Sequence, residues 1–348
     1  MSAPSQKTEG ESAGGLREYG KLIRPYGILF IGFTPMFGAL CNGQFDMFHL
    51  VVLLSIGLLM HVFTFVQNDY YDIEVDRQST YVIQRPLITG TIPRSNAFLI
   101  VMGSFFSCII LAAVFWLSLR PLAMLFISFF LITLYNKFSK HITGMEYVLA
   151  AGVFTLGVFG AFTVSENIAP LALIISSIGF LQWVFSVGVS ANLKDVEFDT
   201  KLGIRTTPVL LGVHVIDHSL KKPFIFMVYA YGIKALHLLV SFLPFLFGFT
   251  SLILFGFPVP LICFLLVGIS IIITTYGLLN TPLKNRNRML RYEGVQEGFS
   301  LLLIPSTLLS YLVEHFGVLP TILLFLLMIA WPLFILRALY GRTLIPLE

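Results

Sequence analysis

The sequence predicts an all-α protein that crosses a membrane many times, and three observations predict it. Of the 348 residues, 57% are hydrophobic and only 11% charged, against about 25% charged in soluble domains. Apolar runs near the roughly 17–25 residues that a spanning helix needs recur from residue 22 to residue 339. The basic residues, finally, gather in alternate connections, as cytoplasmic loops do. No soluble domain of useful size remains. The net charge of +4 follows this membrane pattern and gives no sign of nucleic-acid binding.

Taken in order, the first 20 residues are rich in Ser, Gly, Glu and Lys and are expected to be disordered, because they bury too little surface to offset chain entropy. Residues 21–348 then form a single membrane domain. Arg17, Lys21 and Arg24 lead into a run that continues as a full span, unlike a cleavable signal peptide. The expected spans are 22–41, 47–67, 95–118, 121–137, 145–165, 170–190, 223–247, 253–279, 298–316 and 319–340. The last two are short and joined only by Gly317 and Val318, so they read equally as one span plus a half-helix or surface helix. Cys41, Cys108 and Cys263 lie inside apolar runs without metal-ligand spacing and read as packing thiols.

Of the 22 Lys and Arg residues, all but Arg120 and Lys234 fall on one side of this topology. The positive-inside rule puts that side, and with it both termini, in the cytoplasm.

Two polar stretches on that side repeat each other. In "QNDYYDIEVD", Asn68, Asp72 and Asp76 are spaced i, i+4, i+8; in "ANLKDVEFD", Asn192, Asp195 and Asp199 are spaced i, i+3, i+7. On helical extensions of the second and sixth spans, each trio falls on one face. An even number of crossings separates them, so they have the same orientation and suggest parallel four-helix repeats at about 22–137 and 145–247.

Carboxylates one turn apart repel, more so at a membrane edge where water screens less. A cation should sit there. Carboxylate and amide oxygens suit Mg²⁺, which takes one or two protein carboxylates, keeps waters and binds substrate phosphates. Two facing stripes could hold one ion each and clamp a diphosphate. Arg85, Lys140, Lys201 and Arg205 stand close in sequence and are candidate phosphate contacts, whereas Lys221, Lys222 and the 284–291 cluster read as positive-inside anchoring. A diphosphate site opening into a bilayer suits a charged head with a greasy tail, such as an isoprenyl diphosphate. The 34 Phe could help line a tunnel for that tail.

At these residues the sequence resembles the UbiA superfamily of intramembrane prenyltransferases. "NDYYDIEVD" fits its NDxxDxxxD pattern, "RPLITG" is similar to the continuation of that motif, "DVEFDTKLGIRTTPVLLG" resembles its second DxxxD loop, and "LIRPYGILF" its first helix. The resemblance covers residues 20–212 clearly and the rest by hydropathy. It implies about nine transmembrane helices around a central cavity, with two cytoplasmic Asp-rich helix-loop caps, and Mg²⁺-dependent prenyl transfer to a lipophilic acceptor with release of diphosphate. Carried over by position, Asn68, Asp72 and Asp76 would bind one Mg²⁺, and Asp195 and Asp199 a second. Asp69 matches the motif but lies off the stripe. "LYNKFSKH" loosely matches a Tyr and basic-residue loop, which makes Tyr135 and Lys140 candidate substrate contacts. Asn192 stands where many members have a third acid, and the stretch 280–297, read as a long loop, exceeds the usual plan.

The acceptor is left open between a quinone-type aromatic, a prenylated glycerol phosphate and, behind these, a tetrapyrrole. The rival class is a carboxylate-based cation or proton-coupled transporter. It predicts acids near the bilayer midplane, whereas these gather at the cytoplasmic edge. Lys234, His61 and His237 form no relay chain and read as packing or interfacial residues.

Overall fold

The computed structural model describes residues 15–79, 82, 84–216 and 219–341. Among them, eight helices are long and apolar enough to cross a membrane, or up to ten spans if each of two bent helix pairs counts as one. The chain is an integral, multi-pass membrane protein. Its helices are α1 (Leu16–Ile23), α2 (Ile28–Leu40), α3 (Met47–Asp76), α4 (Pro86–Thr89), α5 (Arg94–Phe115), α6 (Leu119–Phe138), α7 (Met145–Phe162) and α8 (Pro170–Phe185). There follow α9 (Asn192–Leu202), α10 (Thr207–Leu210), α11 (Phe224–Leu246), α12 (Val259–Asn280), α13 (Arg286–Thr307), α14 (Leu309–Phe316) and α15 (Val318–Tyr340). The described strands are two short ones, β1 (His214–Ile216) and β2 (Ser219–Lys221), paired as an antiparallel hairpin.

Helix α2 is the hub, packed on α3 and α7; α7 also packs on α6 and α8, α3 on α5, α8 on α11, and α12 on α13. The approach at the hub is close because glycines face backbone. A Cβ on Gly160 would overlap the carbonyl oxygen of Pro35, one on Gly38 that of Gly157, and one on Gly57 that of Gly32. Small residues let membrane helices approach in this way. Gly160→Ala is therefore expected to lower stability by about 1–3 kcal/mol through overpacking, read as a lower unfolding midpoint in detergent. Gly103→Ala, where nothing lies within 4 Å of the added atom, is the control and should leave the midpoint within error or raise it.

Several expectations need correction. Residues 1–14 of the expected tail lie outside the described residues, and the rest of it is ordered: α1 begins at Leu16 and is tied down by Arg17, which donates two bonds to the Leu339 carbonyl at 3.0 and 2.8 Å. Lys7 and Arg342 lie outside the described residues. The first span is broken by 44° at Arg24, which adopts φ +54°, because a residue before proline is driven out of the helical region. His61, read as a packing residue, stabilises that break. Its Nε2 donates to the carbonyls of Ile23 and Arg24 at 3.1 and 3.2 Å. The stretch 280–297 is mostly not a loop, since α13 starts at Arg286; its polar residues Glu293 and Glu297 face a cavity rather than water. The ninth segment is a bent pair, α13 and α14, at 58°, and α15 stands as a further full-length helix.

Candidate active site

Helix α3 carries the first motif. At 30 residues it is about 45 Å long, well beyond a hydrocarbon core of about 30 Å. Its polar last turns therefore extend past the apolar part of the span as one rigid stripe. The second motif arrives differently. Helix α8 passes through a π-helical turn, Ser186–Ala191, into α9, and such turns recur at functional sites. Behind α9, a core of Phe185, Leu193, Val196, Phe226 and Met289 fixes the motif helix against α11 and α13.

The two helix ends open into one cavity of about 430 Å³. Asn68, Asp72, Asp76, Asn192, Asp195 and Asp199 all line it, together with Arg85, Tyr135 and Lys140. Nine of the sequence-derived candidates thus converge. Lys201 and Arg205 do not. Lys201 is exposed and pairs with Glu197 at 2.8 Å, because it lies two residues past Asp199, on the opposite face of α9. Arg205 is exposed beyond the left-handed Gly203 that ends the helix.

Charge in the cavity is unbalanced, with eight acidic side chains in its wall against five basic ones. In the first motif, Asp69, only 4% exposed, accepts from Arg24 and, at 3.2 Å, from Arg85. Arg85 also grips Asp76 at 2.5 Å. Asp69 thus anchors the two guanidiniums instead of joining the stripe, which explains its position off it. Asp72 accepts from the Asn68 amide at 3.2 Å. In the second motif, Asp195 accepts from Arg286 at 3.0 Å, and Arg286 also caps the Lys194 carbonyl at 2.6 Å. Asp199 takes the Thr206 hydroxyl at 3.2 Å, while its second oxygen is buried without a hydrogen-bond partner.

Lys140 sits in the short connection between α6 and α7, facing both motifs. Burial alone would lower its pKa, but the carboxylates of Asp72, Asp199, Asp195 and Asp76 hold it above the usual lysine value. A raised folded-state pKa means that the contribution of this ammonium is fully present below the ordinary lysine range. It is lost only as pH climbs through the raised value. Between pH 6 and 9 Lys140 therefore stays charged.

Sequence reasoning missed Arg24, Lys194, Arg286 and Glu293. Arg286, which by sequence belongs to the membrane-anchoring cluster, holds Asp195; Lys194 meets Glu293 at 3.4 Å. Asn136, behind Tyr135, donates to the Thr64 carbonyl and to Gln67 at 3.0 and 2.9 Å and so pins α6 to α3 below the first motif. An Arg or Asn at the edge of an apolar run was the signal available for Arg24 and Asn136, whereas Lys194, Arg286 and Glu293 sit in charged stretches, and nothing local names their partners.

All candidate ligands are oxygens, one of them a buried carboxylate oxygen lacking a partner, and the wall is acidic, all of which suits Mg²⁺. Among the described residues no three His, Cys, Asp or Glu side chains form a closed metal cage. The remaining ligands would have to be water or substrate phosphate.

A 4-hydroxybenzoate octaprenyltransferase from Francisella tularensis subsp. mediasiatica is 28% identical over 203 residues, covering 58% of this chain and 70% of the relative. One from a Polaromonas species is 26% identical over 192 residues, 54% of this chain and 66% of that protein. Among solved structures, the fold is shared with a UbiA homologue from Aeropyrum pernix K1, with TM-score 0.62 and 15% identity over 84% of this chain and 98% of that one. It is shared also with a digeranylgeranylglyceryl phosphate synthase, TM-score 0.54 and 20% identity over 87% and 99%. A third is an Archaeoglobus fulgidus UbiA homologue bound to GPP and Mg²⁺, TM-score 0.52 and 17% identity over 92% and 99%. Residues 29–292, three quarters of the sequence, match the UbiA prenyltransferase family, and the chain belongs to that family.

Proposed function

We propose that the chain transfers the prenyl group of an allylic isoprenyl diphosphate to a lipophilic acceptor and releases diphosphate. The observation that carries this reading is the convergence of both aspartate stripes on one cavity, with Lys140 between them. Asn68, Asp72 and Asp76 would hold one Mg²⁺, and Asp195 and Asp199 a second. When bound, the ions neutralise charge that develops on the departing diphosphate.

The chain's own residues do the rest. Lys140, held charged, meets a phosphate oxygen as a point charge, and Tyr135 and Asn192 border the same space. Arg85 keeps Asp76 oriented while presenting its remaining N–H groups to the cavity. Phe30, Phe65 and Trp183 line the cavity as well; their faces suit an isoprenyl tail, exclude water and favour positive charge on the allylic carbon. Both motif ends and most basic residues would face the cytoplasm. The acceptor is a quinone-precursor aromatic, in line with the 4-hydroxybenzoate in the relatives' name, or a prenylated glycerol phosphate, in line with the synthase that shares the fold.

The test is to incubate the purified chain with geranylgeranyl diphosphate, Mg²⁺, and either 4-hydroxybenzoate or geranylgeranylglyceryl phosphate, and to identify products by mass. A prenylated acceptor and stoichiometric diphosphate are expected; absence of both with every acceptor refutes the reading. Lys140→Met should raise the KM for the diphosphate donor by about 10- to 100-fold, from the roughly 1.5–3 kcal/mol of a hydrogen bond to a charged group. The KM for the acceptor should stay within a factor of about two.

A further inference from the structure

The cavity has a second polar end. Ser186 and Gln182 lie nine and thirteen residues before Asp195 along the same run of helix, about 13 and 20 Å deeper into the membrane. One turn apart, they share a face, and both line the cavity. Ser186 donates its hydroxyl to Glu297 of α13, which lines it too. A carboxylate, a hydroxyl and an amide therefore meet on one patch within the apolar part of the bundle, where polar groups are costly and mark function.

The orientation of the Gln182 amide is settled by its neighbour. Lys234 of α11, 4% exposed, donates its ammonium to Gln182 Oε1 at 2.6 Å and to Ser300 Oγ at 3.5 Å. Its ammonium also sits 4.1 Å from the centre of the Phe185 ring. A lysine only donates, so the amide oxygen must face it and the Nε2 is turned the other way. Gln182 is 7% exposed, and that Nε2 is buried with no partner. A buried donor left unmet is costly, and a ligand oxygen would satisfy it. Lys234, read from the sequence as a packing residue, is thus part of a polar array that extends to the cavity wall.

We propose that Gln182, Ser186 and Glu297 form the subsite for the hydroxyl-bearing head of the acceptor, with Lys234 as a positioning residue that fixes the amide. A hydroxyl meets both requirements: its oxygen accepts from Gln182 Nε2, and its proton goes to the Glu297 carboxylate. A diphosphate held at the aspartates and a ring-sized acceptor together span about the 13 Å that separate Asp195 from Ser186 along the helix. The assignment rests on the prenyl-transfer reading and deepens it.

The experiment uses the full chain as Gln182→Leu, Glu297→Gln and Lys234→Met variants. The probes are 4-hydroxybenzoate with its methyl ether 4-methoxybenzoate, or geranylgeranylglyceryl phosphate with its O-methyl ether, according to which acceptor the wild type turns over. Each variant is expected to raise the acceptor KM about 10- to 100-fold, as loss of a hydrogen bond in a site built to receive a hydroxyl does. The donor KM, and binding of the unreactive geranylgeranyl S-thiolodiphosphate, should stay within a factor of about two. The wild type should bind the methyl ether at least tenfold more weakly than the hydroxyl compound, and Lys234→Met should erase most of that preference, which a merely structural lysine would not. Unchanged acceptor KM in all three variants overturns the assignment. So does weakened donor binding alongside the acceptor effect, since that marks general damage. If the wild type binds the donor analogue but prenylates no acceptor, the prenyl-transfer reading falls and this assignment falls with it.

Discussion

Asp72→Ala and Asp195→Ala are each expected to lower turnover by roughly 10²–10³-fold or more, the scale seen when a group stabilising transition-state charge is removed, while the protein stays folded. Asp72 is 7% exposed, with the Asn68 amide as a hydrogen-bond donor to it. Alanine there removes a charge from an acidic wall, which relieves repulsion among Asp69, Asp72 and Asp76. Asp195 does have a strong partner in Arg286, but that guanidinium keeps its bond to the Lys194 carbonyl and is not stranded. Stability should therefore hold while chemistry fails. The assay is the initial rate of diphosphate release, paired with the unfolding midpoint in detergent. Undiminished release in either variant would remove that aspartate from the site.

Arg85→Ala should act on stability as well as activity. Among the described residues it is Arg85 that links Asp69 to Asp76, at 3.2 and 2.5 Å, and both carboxylates are buried. Breaking a buried pair by deleting one partner costs roughly 3–5 kcal/mol. Because the Arg85 side chain is 25% exposed, the lower end, about 3 kcal/mol, is expected. The loss should be partly reversed in Arg85→Ala/Asp76→Asn, which takes away the carboxylate that loses its cation while Asp69 keeps Arg24, and the non-additivity measures the coupling. A thermal or denaturant midpoint equal to wild type in the single variant would show that Arg24 suffices to hold Asp69.

The motif stripes were legible because helical spacing is a local property. Asn68, Asp72 and Asp76 fall on one face wherever α3 goes, and Asn192, Asp195 and Asp199 do so on α9. The spans were legible for the same reason, except where a single residue overrides hydropathy, as Pro25 does by forcing Arg24 out of the helix. The stretch 280–297 misled because charged residues in a membrane chain normally mark loops; here Glu293 and Glu297 are helical and turned toward a polar cavity. Nearness in sequence was a poor guide to the basic residues. Lys201 and Arg205 follow the second motif directly yet face away, whereas Arg286 reaches Asp195 from 91 positions along the chain.

By itself, then, the sequence determined an all-α membrane bundle, its two carboxylate stripes and the kind of ion and substrate head they suit. These depend on apolar length and helical period, which any segment carries within itself. Only the tertiary structure decided that both stripes share one chamber, which cations serve them, and that Gln182, Lys234 and Glu297 meet at its inner end. Those outcomes depend on which helix faces pack together, and a charge between helices chooses its partner by distance in space, not along the chain.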